Sequence, residues 1–338
     1  ELLTIAKDAA NEVIKGGKYQ LFYNEKLGNE SYRYMFTLED GAQCNPANLS
    51  KSDNTEYIFV KRHRNGDKTA WNLTHGMVAN ACYVTRKLAN MYLCSDGLPI
   101  GKSSKFQQYA GVTDEFQNRD NRMGNNMLYH GQQYWNNDGK WRTTWTDADL
   151  TSSLTANVRS GSGYQNRKWG TERQVEDYYD FPVIRYAEVL LNYAEAVYEL
   201  NGTITDSELD YSLNKVRLRV NPNMPKLSST LVSANNLSMR EEIRRERTVE
   251  LVLEGFRIDD LKRWATAPDE MPQDMLGVQV TGTWFETNWT DHKRSLSSDG
   301  CLILYSDRTW NDKLYLYPLP SDQLQLNPQL EQNPGWKN

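Results

Sequence analysis

Residues Asp180 to Gly202, DFPVIRYAEVLLNYAEAVYELNG, restrict what this chain can fold into more than any other stretch. Val183, Ala187, Leu190, Leu191, Ala194 and Val197 recur at spacings of three and four, the period of a helix with one buried face. Pro182 suits a first helical turn, where its missing N–H costs nothing, and Asn201-Gly202 supplies a stop. The small side chains of Ala187, Ala194 and Ala196 admit a second helix at close range, as in tetratricopeptide-type hairpins. Asp206 or Ser207 can cap that helix, and Leu209, Leu213, Val216 and Val220 form its apolar stripe. The periodicity therefore predicts a helix pair over 183–200 and 207–220.

A third helix is predicted over 239–265. Ser238 and Glu241 form a capping box, and Ile243, Val249, Leu251, Val252 and Phe256 make a core face that runs toward Trp264. An opening helix from Glu1 to Ile14 stops at Gly16-Gly17, and Thr85 to Tyr92 reads as a short helix before the Ser95-Asp96-Gly97 turn. Glu56 to Val60 is a β-prone run. By contrast, 61–169 is dense in Asn, Asp, Gly, Trp and Tyr, a composition typical of loops and small hairpins laid over a scaffold. The same character returns over 277–299, and the chain closes on an extended Leu-Tyr-Leu-Tyr-Pro piece and a proline-rich tail. No linker divides the sequence, so 1–338 is expected to be a single unit. Its helical scaffold would lie mainly in 180–265, and its loop-rich ligand face in 61–169 and 277–299.

A formal net charge of −5 gives no electrostatic footprint for nucleic acid or an anionic membrane. No apolar run approaches the roughly 20 residues that span a bilayer. Cys44, Cys82, Cys94 and Cys301 show no C-x-x-C pairing and no zinc spacing with His63, His75, His130 or His292. On one continuous helix Cys82 and Cys94 would be about 18 Å apart, too far to bridge. The four are expected to be buried or free thiols.

The wording of the helix pair, IRYAEVLLNYAEAVYELNG followed by LNKVRLRV, resembles the SusD/RagB family of surface glycan-binding lipoproteins. Other blocks agree in the same order. Phe116 to Met123 (FQNRDNRM) is similar to the family's NRDPR segment, with Asn121 in place of the usual Pro. Tyr164 to Lys168 (YQNRK) is similar to its GYxxRK turn, and Glu241 to Trp264 to its ERxxELxxEGxRxxDLxRW helix. Leu314 to Trp336 resembles the closing YLYPIPxxExxxNPxLxQNPGW. Ordered blocks from about position 90 to the C-terminus are far more specific than a single short motif.

The resemblance implies a mainly α SusD-like fold with tetratricopeptide-type helix pairs and a loop-rich face bearing small β-hairpins. It also implies a non-catalytic cell-surface protein that captures oligosaccharide or polysaccharide and hands it to a SusC-type TonB-dependent transporter. Localisation would be the outer membrane, through a lipid anchor outside this chain. The chain starts without Met in what reads as mid-protein helix, and relative to the family an N-terminal portion with the lipoprotein signal and first helical repeats is expected to be missing.

Ten Trp and twenty Tyr stand against eight Phe. Core packing does not require that bias, because Phe serves as well where no hydrogen bond is wanted. A sugar ring has an apolar C–H face and a hydroxyl rim, so it suits a flat aromatic flanked by short polar side chains. The segment Tyr129 to Asp149, YHGQQYWNNDGKWRTTWTDAD, combines both. The candidate ligand residues are Trp71, Tyr134, Trp135 and Trp141 as stacking platforms, with Asn136, Asn137 and Asp138 bonding hydroxyls. Trp284 and Trp289 are a sparser second cluster. Against each stands the plainer reading that loop aromatics anchor loops to the scaffold.

No catalytic residue or metal set is indicated. Arg244, Arg245, Arg247, Glu250, Glu254, Arg257, Asp259 and Asp260 make a charged helix, which is expected to form solvated or interhelical ion pairs, not acid–base machinery. Asp120 and Arg122 are expected to fix a turn. Gly97 to Ser103 (GLPIGKS) has one residue too few for a phosphate loop and follows a helix instead of a strand. Asp138, Asp147 and Asp149 are candidate calcium ligands, although isolated loop carboxylates are more often solvated; no other cofactor is suggested. Two other classes compete: a glycoside hydrolase, which needs two carboxylates across a scissile bond, and a helical-repeat scaffold whose only ligand is protein.

Overall fold

A computed structural model of the chain describes residues 1–40, 45–64, 82–132, 134–135, 141–142, 161–170, 178–288 and 294–337. Among these the fold is mainly α. The sheets are small antiparallel pairs: Tyr57–Lys61 with Phe181–Arg185, Tyr134–Trp135 with Trp141–Arg142, and Met275–Gln279 with Cys301–Tyr305.

The scaffold is built on the helix Tyr186–Asn201. The opening helix Leu2–Gly16 lies along it, and Leu213–Leu218 and Met239–Glu250 pack on it as well. Ala187, Leu190, Leu191, Ala194 and Val197 are buried in one cluster with Ala10, Ile14, Leu213, Val216 and Ile243. Each large apolar side chain so enclosed contributes about 1.5–3 kcal/mol. Gly17 and Gly202 end their helices in the left-handed conformation (φ 63° and 70°), where a Cβ is disfavoured.

The boundaries depart from the periodicity in instructive ways. Pro182 and Val183 belong to the strand Phe181–Arg185, and the long helix starts only at Tyr186. Phe181, Val183 and Ile184 favour extended backbone, and Pro182 lies opposite Val60 in a ladder with irregular register. Val183 is 44% exposed, so the apolar stripe begins at Ala187 instead.

The second helix is capped by Thr205, not by Asp206 or Ser207. The Thr205 hydroxyl accepts from Glu208 N, while the Glu208 carboxylate accepts from Thr205 N at 2.8 Å. It breaks at Ser212 (φ −131°, ψ −94°) into Asp206–Tyr211 and Leu213–Leu218. The third also divides, into Met239–Glu250 and Arg257–Arg263, because Leu253 and Gly255 take positive φ of 59° and 95°. Ser238 does cap it; the short helix expected over Thr85 to Tyr92 is present as Arg86–Met91, with Thr85 as its N-cap. At the far end, Leu314 and Tyr315 lie in a 3₁₀ turn (Asp312–Tyr315), not in extended chain.

The described parts of 61–169 are more than covering loops. Ala89, Tyr92, Met123, Met127 and Tyr164 join Val249, Val278 and Leu302 in a second buried cluster. Tyr32, Phe36, Trp169 and Tyr179 centre a third, where the Trp169 ring stacks on Phe181 at 5.2 Å. Cys94 and Cys301 are buried free thiols and Cys82 is a half-buried one; Cys44 lies outside the described residues.

Candidate functional site

The charged block of the third helix lies partly in the interior. Glu250, wholly buried, accepts from Arg185 Nη1 (2.7 Å) and Arg219 Nη2 (2.5 Å) on one oxygen and from Arg122 Nη1 (3.0 Å) on the other. Arg185 also reaches Glu56 (2.7 Å) and Glu254 (2.7 Å), and Arg219 reaches Glu56 (2.7 Å). Lys168 donates to Glu254 (2.6 Å), to the Val252 carbonyl (2.7 Å) and to the Tyr32 hydroxyl (3.1 Å). The last carbonyls of the helix thus find donors, since Glu250 O accepts from Tyr32 and Arg185. Of the two readings for this block, interhelical pairing holds for Glu250 with Arg122 and for Arg247 with Asp260; Glu254, in the turn between the two helices, pairs with the strand residue Arg185 and with Lys168 in a turn, and Asp259 is exposed.

Burial pushes the Glu250 carboxyl up, but Arg219, Arg185 and Arg122 outweigh it and hold the group well below the usual carboxylate range. Burial pulls Lys168 down, to about 8, against the attraction of Glu254. Glu246 moves the other way: burial raises it despite Arg122 at 2.6 Å, a close ion contact without an aligned N–H. These shifts belong to an enclosed salt-bridge cluster, so they do not mark acid–base machinery in a cleft.

Asp120 and Arg122 tie that cluster to the next layer. Asp120 caps the helix Asn121–Asn126 by accepting from Arg122 N at 2.9 Å, and its carboxylate also holds the Arg122 side chain. Asn121, where the resembled motif has Pro, donates its N–H to Asn221 Oδ1 at 2.7 Å and its amide to the Val220 carbonyl. A proline could make neither bond.

The aromatic segment hangs from this helix. Leu128 N donates to Gln165 O (2.9 Å), and Arg167 N donates to Asn126 O (2.8 Å), which fastens the chain after the helix to the Gln165–Lys168 strip. Tyr134 then pairs with Arg142 and Trp135 with Trp141 in an antiparallel hairpin. Three of the candidate residues, Tyr134, Trp135 and Trp141, are therefore brought together by backbone register. Trp71, Asn136, Asn137 and Asp138 lie outside the described residues, as do Asp147, Asp149 and Trp289.

Trp284 is half-buried in the short helix Trp284–Asn288, packed edge-on to Phe285 at 5.3 Å and against the second core cluster. That environment is anchoring. Sequence reasoning missed the bonding around Gln132 at the root of the hairpin, where the only local signal is Gly124 inside a helix. It also missed an apolar cavity of about 550 Å³ between the helix Arg86–Met91 and the Leu251–Ile258 turn, lined by Leu88, Met91, Leu253 and Phe256. Its walls come from segments more than 150 residues apart, which no local pattern reveals.

With this geometry in place, comparison with known proteins is decisive for the family. The model of the SusD family matches residues 40–336. The chain belongs to the SusD family. Solved structures with the same fold include a SusD-like carbohydrate binding protein from Bacteroides fragilis NCTC 9343, 23% identical with a TM-score of 0.68, the match covering 96% of this chain and 60% of that one. A second SusD-like protein from the same strain is 23% identical with a TM-score of 0.65, covering 98% and 62%. Surface glycan-binding protein A from Bacteroides fluxus is 18% identical with a TM-score of 0.52, covering 99% and 58%. At such identities the likeness is one of fold, and the chain spans about 60% of the length of these three proteins. No curated protein matches the sequence. The expected mainly α SusD-like architecture, with packed helix pairs and small hairpins, is borne out.

Proposed function

We propose that this chain is a non-catalytic glycan-binding protein that works at the outer-membrane surface. In this reading residues 1–338 act as one SusD-like unit and pass captured oligosaccharide to a SusC-type TonB-dependent transporter, with attachment through a lipid anchor outside this chain. The observation that carries the reading is the SusD family match over 40–336, supported by relatives whose names describe carbohydrate or surface-glycan binding. The ligand face is assigned to the hairpin that pairs Trp135 with Trp141, together with Tyr134, Trp71 and the Asn136, Asn137 and Asp138 amides and carboxylate.

Isothermal calorimetry with cellohexaose, maltohexaose, xylohexaose and mannohexaose tests this. A shallow site has few contacts, so Trp135→Ala or Trp71→Ala should remove most of the measured affinity while circular dichroism stays unchanged. Full affinity in both folded variants places the site elsewhere. Release of shorter sugars on prolonged incubation with pure protein would replace binding with hydrolysis, and failure to bind any glycan would favour a protein-interaction scaffold.

A further inference from the structure

Gln132, two residues before the hairpin strand, is used twice by its side chain. Its Oε1 accepts from Tyr129 N at 3.1 Å, and its Nε2 donates to the Gly124 carbonyl at 2.9 Å. Its own N–H donates to Tyr129 O at 3.1 Å, which closes a tight turn through Gly131 (φ 90°). The Tyr129 ring lies on Phe116 with centroids 5.0 Å apart.

Gly124 makes this arrangement fit. A Cβ there would lie 3.1 Å from Tyr129 Cε1 and 3.3 Å from Gln132 Nε2, tighter than ordinary contact. Gly124 sits inside the helix Asn121–Asn126, where glycine is about 1 kcal/mol worse than alanine. The same carbonyl also accepts from Arg167 Nη1 at 2.9 Å, and Arg167 pairs with Glu30 at 3.0 Å. Through Arg122, this helix is bolted to Glu250 in the scaffold.

We propose that Gly124, Tyr129 and Gln132 are positioning residues, a brace that fixes the paired strands Tyr134–Trp135 and Trp141–Arg142 on the helical scaffold in a ligand-ready geometry. The proposal rests on the hairpin being the glycan platform. A short two-stranded hairpin is marginal by itself, so its order must come from what holds its root. A platform ordered beforehand binds more tightly because it loses less freedom on binding.

The test pairs local hydrogen exchange with affinity in Gln132→Leu and Gly124→Ala. The first deletes both side-chain bonds, and the second deletes none but crowds Tyr129 and Gln132. Both should speed amide exchange over 134–142 about tenfold relative to wild type and weaken binding of the tightest hexasaccharide of the panel by a similar factor. Gly124→Ala separates positioning from general stability, because improved helix propensity should hold or raise its melting temperature while the hairpin loosens. Unchanged exchange over 134–142 in both variants overturns the brace, whatever the affinity does. Faster exchange with full affinity overturns its role in binding; if Trp135→Ala also keeps full affinity, it is the assignment of the platform to this hairpin that has failed.

Discussion

Replacing Glu250 by Gln would test whether the buried ion cluster holds the fold together. The substitution keeps volume and one acceptor oxygen but removes the charge that faces Arg122, Arg185 and Arg219, and it turns one acceptor into a donor pointing at guanidinium N–H groups. Removing one partner of a buried ion pair costs about 3–5 kcal/mol, because the remaining charges stay desolvated. Total stabilities are about 5–15 kcal/mol, so the variant should lose a large part of its margin. Urea denaturation followed by circular dichroism should show this loss, and thermal melts should show a fall in Tm of roughly 4–7 °C. Glu241→Gln on the exposed side of the same helix is the control and should stay within about 0.5 kcal/mol.

The pH dependence adds a second signature. The Glu250 carboxyl is held below its unfolded value, so its contribution is complete above about pH 4.5 and is lost as pH falls through the lower folded value. The stability gap between wild type and Glu250→Gln should therefore be constant near neutrality and narrow below about pH 4.5. A gap under about 1 kcal/mol at pH 7, or one that widens in acid, would refute the reasoning.

Two further outcomes follow from the packing. Ala194→Phe should destabilise by about 1–3 kcal/mol, because Ala194 is fully buried among the scaffold helices; an unchanged melting curve would mean that the site can expand. Trp336→Ala should expose the 313–337 tail to trypsin without moving the main melting transition, since the Trp336 indole donates to the Lys313 and Leu316 carbonyls (3.0 Å each) and its ring receives Lys313 Nζ at 4.3 Å; unaltered cleavage would show that the bonds of Gln332 to the Leu319 backbone and of Asn333 to the Tyr317 carbonyl suffice.

The scaffold was legible because its signal is local. Ala187, Leu190, Leu191, Ala194 and Val197 carry their periodicity within one element, and Gly202 announces its end. The errors fall where tertiary pairing overrides local preference. Pro182 fits a first helical turn by itself, yet a strand at 57–61 is available to pair with its neighbours, and nothing in residues 180–186 records that partner. Likewise the break after Glu250 depends on Lys168 and Arg185 arriving to satisfy the freed carbonyls, from 84 and 65 residues away. The aromatic segment was legible as composition, and its register placed Trp135 opposite Trp141. Its root was not, because the Gln132 amide means something only once Gly124 O is beside it.

The family blocks themselves gain a physical meaning from the cluster. Asp120 and Arg122 come from the NRDNR segment, Lys168 from the YQNRK turn, Arg185 from IRYAE, Arg219 from VRLRV, and Glu246, Glu250 and Glu254 from the charged helix. Spread over 135 residues of chain, they meet in one enclosed set of ion pairs. A buried guanidinium demands a carboxylate at defined distance and angle, whereas an apolar neighbour accepts many substitutes. Such a cluster constrains the identity of each member and leaves the residues between them free. That gives a structural reason for the family resemblance to reside in short, separated blocks. If the chain binds glycan as proposed, its choice of sugar falls to residues these ion pairs do not touch, and the proposed platform is the hairpin that the same helix carries.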